Sequence, residues 1–217
     1  MNHRLLNWIL AGWLVPVLSW AEPVPETIVL PPPPTAGGMP LSGALSLRRS
    51  GREFAPQALP PDTLSGLLWS AAGVNRPDSG RRTAPSARNW QEVEVYVALE
   101  SGLYRYDAAR HALEGVASKD IREEAGIQLF VATAPAVLIY VADHDRMKGA
   151  ADGDRVFYAA VDTGFISQNV YLYCAANGLS TVVLGMVDKE ALKQAMGLRP
   201  GQHVQLTQPV GPPPQAD

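Results

Sequence analysis

Apolar and polar positions alternate with two different periods along the chain, and the first half predicts one helix followed by strands. Leucines and alanines recur at helical spacing after Pro60-Pro61, so we expect a helix that Asp62 caps and Gly73 ends. Residues 93–99 alternate apolar and polar and predict a strand, and the turn at 100–102 leads into a second strand. A third short strand is expected to continue this meander.

The second half of the chain predicts longer and more apolar elements. Residues 120–132 predict a helix that closes before a proline, and the apolar run 136–142 is typical of a central strand covered on both sides. Residues 155–177 contain no proline and are apolar around most of a helix, which predicts a core helix or a helix between subunits. The remaining predicted elements are a strand over 180–184, a short helix capped by Asp188 and ended by Gly197, and a strand over 203–207. The whole pattern predicts an α+β domain with a mixed or mostly antiparallel sheet wrapped by helices.

The first 21 residues have the features of a secretory signal peptide. Residues 1–4 supply positive charge, residues 5–18 are almost entirely apolar, and Ser19-Trp20-Ala21 fits the small-x-small rule for cleavage. The apolar run is short for a transmembrane span, and an uncleaved anchor is the alternative interpretation. We therefore expect a periplasmic or secreted protein with no stable membrane span after cleavage.

Composition divides the rest of the chain into a linker, a domain and a tail. Prolines and glycines concentrate in residues 22–43, which is typical of an extended linker with little to bury. Residues 212–217 are rich in proline and are expected to form a disordered tail. Residues 44–211 are then long enough for one well-packed domain.

Charge and cysteine content exclude several classes of protein. The formal net charge of −3 offers no basic footprint for nucleic acid. The lone Cys174 excludes an intrachain disulfide and a multi-cysteine metal site, and its apolar neighbours indicate a buried thiol. His144 lies between two aspartates, but a solvated loop is the preferred interpretation, and we expect no metal.

Two polar segments are the candidates for chemistry. The turn at 48–52 offers three guanidiniums and a hydroxyl within five positions, a composition that suits the binding of a phosphate. The run 83–91 is small, polar and turn-forming, and it leads directly into the strand at 93–99. A basic turn alone is usually a solvated surface feature. It is the order and spacing of the two segments that indicates a site.

Together, R-R-S-G-R-E-F at 48–54 and T-A-P-S-A-R-N-W-Q at 83–91 resemble the flavin-binding signature of the nitroreductase family. The segment 178–185 fits the family's G-L-x-x-x-x-x-G pattern, and the resemblance covers roughly residues 47–211. Within the family the chain looks closest to the single-domain branch related to the thiazole- and oxazole-forming flavin dehydrogenases. The resemblance implies a nitroreductase-like fold, FMN as cofactor, and a homodimer with two flavin sites across an interface that the long helix forms.

The resemblance also assigns ten cofactor-binding residues. The phosphate and ribityl chain would be held by Arg48, Arg49, Ser50 and Arg52; the flavin edge by Ser86, Ala87 and Arg88; the ring by Asn89; and flavin N5 and O4 by the backbone N–H groups of Leu184 and Gly185. Arg88 is the candidate cation beside flavin N1, where reduction places negative charge. No catalytic side chain is expected, because the cofactor carries the reaction.

The implied activity is that of an FMN-dependent oxidoreductase, which passes electrons to or from a small conjugated substrate by a ping-pong mechanism. One departure concerns the cofactor, since no Lys or Arg follows Val210, where many family members place a basic residue against the phosphate. The expected export is a second departure, because FMN and NAD(P)H belong to the cytosol. A flavin-binding or carrier protein of the cell envelope without turnover is therefore the alternative. An adhesion or scaffold domain on a proline-rich tether is a third, weaker interpretation.

Overall fold

The computed structural model describes residues 24–215, which form four helices, nine strands and several short 3-10 turns. The segment expected to be a signal peptide lies outside these residues. The helices are α1 (Leu41–Leu47), α2 (Pro61–Ala72), α3 (Asp152–Ala176) and α4 (Lys189–Ala195). The strands are β1 (Ile28–Val29), β2 (Val74–Arg76), β3 (Arg81–Arg82), β4 (Val93–Leu99), β5 (Gly102–Asp107), β6 (Ala112–Ala117), β7 (Ala136–Asp143), β8 (Ser180–Thr181) and β9 (Gln202–Gly211).

Seven of these strands form one antiparallel sheet, in the order β1-β6-β5-β4-β7-β9-β8. The strands β2 and β3 make a separate small hairpin. All eight residues of β7 are buried, because β7 lies at the centre of the sheet and is covered on both faces. The predicted α+β class, with a mostly antiparallel sheet and one long helix, is confirmed.

The sheet separates two hydrophobic cores. One core joins α2 and α3 to the sheet, with Leu67, Leu68 and Tyr140 among its fully buried side chains. The other core lies on the opposite face, where α4 and two 3-10 turns pack against Val137 and Ile139. A helix on each face of the sheet thus removes its apolar side chains from water.

The helix α3 is the longest element and carries two different apolar faces. Its inner face buries Ile166, Val170 and Cys174, which confirms the buried thiol. Burial raises the pKa of that thiol well above its usual range. On the outer side, Phe157 stays 60% exposed and Phe165 44% exposed. Large apolar side chains with this exposure are costly in water, and within residues 24–215 nothing covers this face of α3.

The helix predicted over 120–132 is wrong. Two 3-10 turns, Glu123–Ala125 and Leu129–Thr133, occupy the segment and are separated by an extended Gly126. A Cβ at Gly126 would lie 2.7 Å from the Val131 side chain, so the backbone passes too close for an ordinary helix. The backbone of this segment is irregular, so its buried side chains do not follow the spacing of a helix.

The expected linker contributes to the sheet. Within residues 22–43, β1 pairs with β6, and Leu30 is buried in the core beside α2. The Ser65 hydroxyl, which also hydrogen-bonds His111 Nε2 at 2.8 Å, donates to the Pro31 carbonyl at 2.7 Å. A proline run can still be ordered when neighbouring side chains satisfy its carbonyls. The domain therefore extends further towards the N-terminus than composition indicates.

Three element boundaries also differ from the prediction. The helix α2 begins at Pro60-Pro61 with no side-chain cap, so Asp62 lies in the first turn and does not cap it. The strand expected over 180–184 is limited to β8, and Leu184 adds only an isolated bridge to Thr207. The last strand is longer than expected and runs to Gly211. The cap at Asp188 is confirmed, since its carboxylate accepts the Ala191 N–H at 3.0 Å.

The expected tail begins in contact with the domain. The Pro212 carbonyl accepts the Ala55 N–H at 2.8 Å, and Pro213 and Pro214 line a cavity together with the basic turn. These contacts hold the tail beside a group of positive charges as far as the structure describes it.

Candidate functional site

The basic turn at 48–52 borders a cavity of about 800 Å³. The C-terminal half of α3 forms one wall and β8 forms another. Arg48, Arg49, Ser50 and Arg52 all line this cavity, as the resemblance implied. The structure thus brings the four residues assigned to a phosphate to one concave surface.

Tyr171 of α3 holds the basic turn in place. Its hydroxyl lies 3.0 Å from Ser50 Oγ and accepts the Val183 N–H at 2.9 Å, and the Arg48 guanidinium lies over its ring at 5.4 Å. The Gly51 N–H donates to the Thr181 carbonyl at 2.9 Å. The backbone of the turn is therefore anchored from both sides, which reduces the part of the ordering cost that the backbone contributes when an anion binds.

The second segment forms a strained loop over a cavity of about 430 Å³. Arg88, Asn89 and Gln91 have φ values of 49°, 57° and 49°, in the left-handed region that non-glycine residues seldom adopt. Each such residue costs of order 1 kcal/mol, and strain of this kind is commonly found at functional sites. Ser86, Arg88 and Asn89 line the cavity.

A buried network beneath the loop maintains this conformation. Asp162 of α3 accepts the Ala87 N–H at 2.8 Å, and Ser86 Oγ accepts the Gln91 N–H at 2.8 Å. The same Ser86 hydroxyl donates to Glu92 at 3.1 Å. Both carboxyl groups are almost fully buried. Burial raises the pKa of Glu92 to about 7, and the nearby Asp162 adds to the rise.

The described arginines fall into two groups, those that form an ion pair with a carboxylate and those that do not. Within residues 24–215, six arginines form ion pairs with carboxylates: Arg105, Arg110, Arg122, Arg146, Arg155 and Arg199. The other seven of these described arginines have no carboxylate partner, and all of them line the two cavities: Arg48, Arg49 and Arg52 at one, and Arg76, Arg81, Arg82 and Arg88 at the other. Unpaired guanidiniums around a cavity are the donors that anion binding requires.

The two cavities are separate in one chain and share no lining residue. Ile166 of α3 lines the cavity under the 83–91 loop, and Tyr171 of α3 lines the cavity at the basic turn. These two residues are separated by roughly 7 Å along the helix axis. Leu184 and Gly185 line neither of them. The chain by itself does not gather the ten assigned residues into one pocket.

The backbone assignment at Leu184 needs correction. Its N–H donates to the Thr207 carbonyl at 2.8 Å, so it is not available to a ligand. The Gly185 N–H has no acceptor among the residues that the structure describes, and it can still serve that role. Ala87 acts through its N–H bond to Asp162 and does not line the cavity.

Sequence reasoning missed several residues of the site. Tyr171, Asp162 and Glu92 looked like ordinary members of a helix or a strand end. Asp162 gave one signal, as a carboxylate inside an otherwise apolar helix. Arg81 and Arg82 precede the 83–91 run directly, and extending the motif by two positions would have included them.

Comparison with known proteins agrees with this geometry. The model of the nitroreductase family matches residues 45–212. The Methanocaldococcus jannaschii protein named "Putative nitroreductase MJ1384" is 32% identical over 182 residues, which cover 79% of this chain and 90% of that protein. The crystal structure of a "putative nitroreductase" from Ralstonia eutropha is 41% identical, with a TM-score of 0.85 over 97% of this chain and 100% of that one.

A more distant structure shares the fold alone. It is the NADPH:FMN oxidoreductase of Vibrio harveyi, 19% identical with a TM-score of 0.61, over 81% of this chain and 69% of that one. The α+β fold and the paired polar segments define a flavin-type oxidoreductase. The chain belongs to the nitroreductase family. The family prediction made from the two motifs is confirmed.

Residues 24–215 contain neither a cluster of metal ligands nor a helix that could span a membrane. No group of three or more His, Cys, Asp or Glu side chains there is arranged to hold a metal ion. His144 stacks on His203 instead, with ring centroids 4.4 Å apart. Among the helices of the same residues, none has both the length and the apolar character to cross a bilayer.

Proposed function

We propose that the protein is an FMN-dependent oxidoreductase that transfers electrons to or from a small conjugated substrate by a ping-pong mechanism. The observation that carries the proposal is the cavity at Arg48, Arg49 and Arg52, whose guanidiniums lack carboxylate partners. Three guanidiniums and a serine hydroxyl fit the charge and the oxygens of one phosphate. Bound FMN would supply hydride or electron transfer at its ring.

The chain's own residues would bind and orient the cofactor. The turn at 48–52 would hold the phosphate, with Tyr171 keeping Ser50 in position. The Gly185 N–H would donate to the ring edge, and Arg88 would face the charge that reduction creates. The fold of the Vibrio harveyi NADPH:FMN oxidoreductase supports the choice of FMN.

We also propose that the protein is a homodimer whose subunits complete each site together. The two cavities lie apart in one chain, and a second copy would bring the loop of one subunit to the basic turn of the other. The outer face of α3 offers the contact, because Phe157 and Phe165 are exposed there. Exposed leucines on α1 at Leu41 and Leu45 enlarge this apolar surface.

Export stays a proposal that rests on the N-terminal sequence. A periplasmic or secreted enzyme would meet little nicotinamide donor, so its electron donor would be another reductant. Cleavage after Ala21, measured by N-terminal sequencing of the protein recovered from cells, tests this directly. A protein recovered with its first residues intact would contradict it.

A visible absorption spectrum of the purified protein with added FMN tests the cofactor. We expect flavin bands near ~370 and ~450 nm that survive gel filtration. The double variant Arg48→Ala/Arg52→Ala should lose at least about tenfold in FMN affinity, since each charged hydrogen bond contributes about 1.5–3 kcal/mol. Arg110→Ala is the matched control, because its ion pairs with Asp107 and Glu114 lie outside both cavities.

Equal flavin content in the double variant would overturn the phosphate assignment. Turnover separates the enzyme from a carrier protein. Bound flavin that a donor reduces and that a quinone or nitro compound reoxidises supports the enzyme. Flavin that binds but is never reoxidised by such acceptors favours the carrier.

A further inference from the structure

A second group of arginines surrounds the cavity under the strained loop, apart from the basic turn. Arg76, Arg81, Arg82 and Arg88 line it, and none of them has an ion pair within residues 24–215. Every described arginine outside the two cavities does have one. Arginines on a protein surface are usually paired with a carboxylate or scattered singly in water. Here the arginines without an ion pair are gathered into two groups, and each group lies at a cavity.

The cofactor of the proposed function can satisfy only one of these groups. FMN carries a single phosphate, and the three guanidiniums at 48–52 already suffice for it. Arg88 is assigned to the flavin ring. Arg76, Arg81 and Arg82 therefore remain without an anion even in the loaded protein.

The hairpin of β2 and β3 brings the three residues together, with Arg76 opposite Arg81, and hydrogen bonds hold the Arg76 side chain. Arg76 donates from Nη2 to the Arg82 carbonyl at 2.7 Å and from Nε to Asn75 at 3.0 Å. Gly80, with a φ of 61°, closes the hairpin between them. The guanidiniums are thus presented from a fixed backbone, which reduces the ordering cost of binding.

Arg82 has a polar atom that the described residues leave unsatisfied. Its Nε is buried and has no hydrogen-bond partner there. Burial, followed by the nearby Arg146, lowers the pKa of this guanidinium, and the carboxylates of Glu94 and Asp107 offset part of this effect without forming an ion pair with it. A buried charged donor without an acceptor is costly, and an anion in the cavity would relieve that cost.

The carboxyl groups at the same cavity do not fill this role. Asp162 accepts the Ala87 N–H, and Glu92 accepts the Ser86 hydroxyl. The raised pKa of Glu92 keeps part of its population neutral at physiological pH. The rest of the lining is mixed: Ser86, Asn89 and Gln91 are polar, and the apolar part comes from Pro85 and from Ala72, Ala84, Val93 and Ile166. A flat organic molecule would pack against the apolar side chains of this lining.

We propose that Arg76, Arg81 and Arg82 bind the carboxylate or phosphate group of a flat organic substrate, so that the enzyme prefers anionic over neutral substrates. The cavity of about 430 Å³ is within the range of small-molecule sites and has room for a one-ring or two-ring compound. This inference rests on the proposed function, since the substrate would react at the flavin.

Titration calorimetry on the flavin-loaded protein tests the preference with three matched probes: 4-nitrobenzoate, 4-nitrophenyl phosphate and nitrobenzene. We expect at least one of the two anions to bind tenfold or more tightly than nitrobenzene, and the tighter one identifies the head group. The double variant Arg81→Gln/Arg82→Gln should remove this difference while keeping its flavin and its affinity for nitrobenzene. Arg199→Gln is the control, because Arg199 pairs with Asp143 and Asp145 away from the cavity.

Two outcomes would overturn the inference. Equal affinity for the three probes would show that the arginines do not select anions. Loss of flavin from the double variant, with an unchanged circular dichroism spectrum, would mean that they hold the cofactor phosphate. If the double variant misfolds, the single variant Arg81→Gln is measured instead, because Arg81 is exposed. We expect this variant to lose less anion affinity than the double variant would. An unchanged anion affinity would overturn the inference.

The proposed function fails in a different way. If the wild-type protein binds no FMN, the flavin bands are absent, and the same three titrations on the colourless protein still report whether the cavity selects anions.

Discussion

The buried Glu92 makes a quantitative prediction about stability and pH. The folded protein holds the Glu92 proton up to a pKa of about 7, whereas the unfolded chain releases it near the ordinary value of 4.5. The stabilisation from this proton is fully present below pH 4.5 and is lost as pH rises through 7. A difference of 2.5 between these two pKa values corresponds to about 3 kcal/mol at most.

The substitution Glu92→Gln isolates this effect. Glutamine has the same shape and still accepts the Ser86 hydroxyl, but it cannot ionise. The NH2 group of the glutamine would replace Glu92 Oε1, which has no hydrogen-bond partner among the described residues. The free energy of unfolding of the variant should therefore be about 1–2 kcal/mol lower than that of the wild type at low pH. Relative to the variant, the wild-type protein should lose up to about 3 kcal/mol between pH 4.5 and 7.5.

Urea unfolding followed by circular dichroism, at several pH values and one protein concentration, measures the two free energies. Subtracting one from the other removes the titration of all other groups that both proteins share. Glu100→Gln, in the exposed turn between β4 and β5, is the control and should leave the pH dependence unchanged. If the curves of wild type and Glu92→Gln run parallel across this range, the buried carboxyl does not hold a proton and the reasoning is refuted.

Two further predictions concern the outer face of α3 and the N-terminal strand. Phe157→Asp should weaken dimerisation roughly tenfold or more, as measured by light scattering. Leu129→Asp is the control, because Leu129 is exposed elsewhere on the surface, and it should leave dimerisation unchanged. Equal weakening in both variants would contradict the α3 interface. His111→Ala removes bonds of 2.8 Å to Ser65 and Tyr106, so the free energy of unfolding should fall by about 1–3 kcal/mol and proteolysis near residue 31 should increase. Unchanged proteolysis relative to the exposed control Lys148→Ala would argue against this anchor.

Periodic patterns predicted the regular elements well. The bounds of β4 were predicted correctly, and α3 begins at Asp152, three residues before its predicted start, and ends within one residue of its predicted end. The segment 120–132 failed because its path is set by a close contact between Gly126 and Val131, which no local period encodes. The strand β1 was missed for a related reason, since its order depends on hydrogen bonds from residues far along the chain.

The candidate site was only partly visible in the sequence. The basic turn and the 83–91 loop were identified because their residue types are unusual when taken together. Whether an arginine has a carboxylate partner depends on tertiary contacts, so the distinction between Arg82 and a paired residue such as Arg105 could not be made from sequence. The same holds for the Leu184 N–H, whose acceptor is Thr207 in the distant strand β9.

The two ends of the main sheet are short strands, and this limits how copies of the protein can associate. β1 and β8 have two residues each, and the prolines around β1 cannot donate to another strand. Beyond β1, the Pro25 carbonyl lies so close to Gly115 that it covers the adjoining edge of β6. At the other end, β8 and the bridge between Leu184 and Thr207 cover part of the outer edge of β9, so among the described residues only short rows of backbone groups stay free and runaway strand addition into fibres is disfavoured. A marginally folded molecule would be protected from aggregation along this route while its helical face stays open for a specific partner.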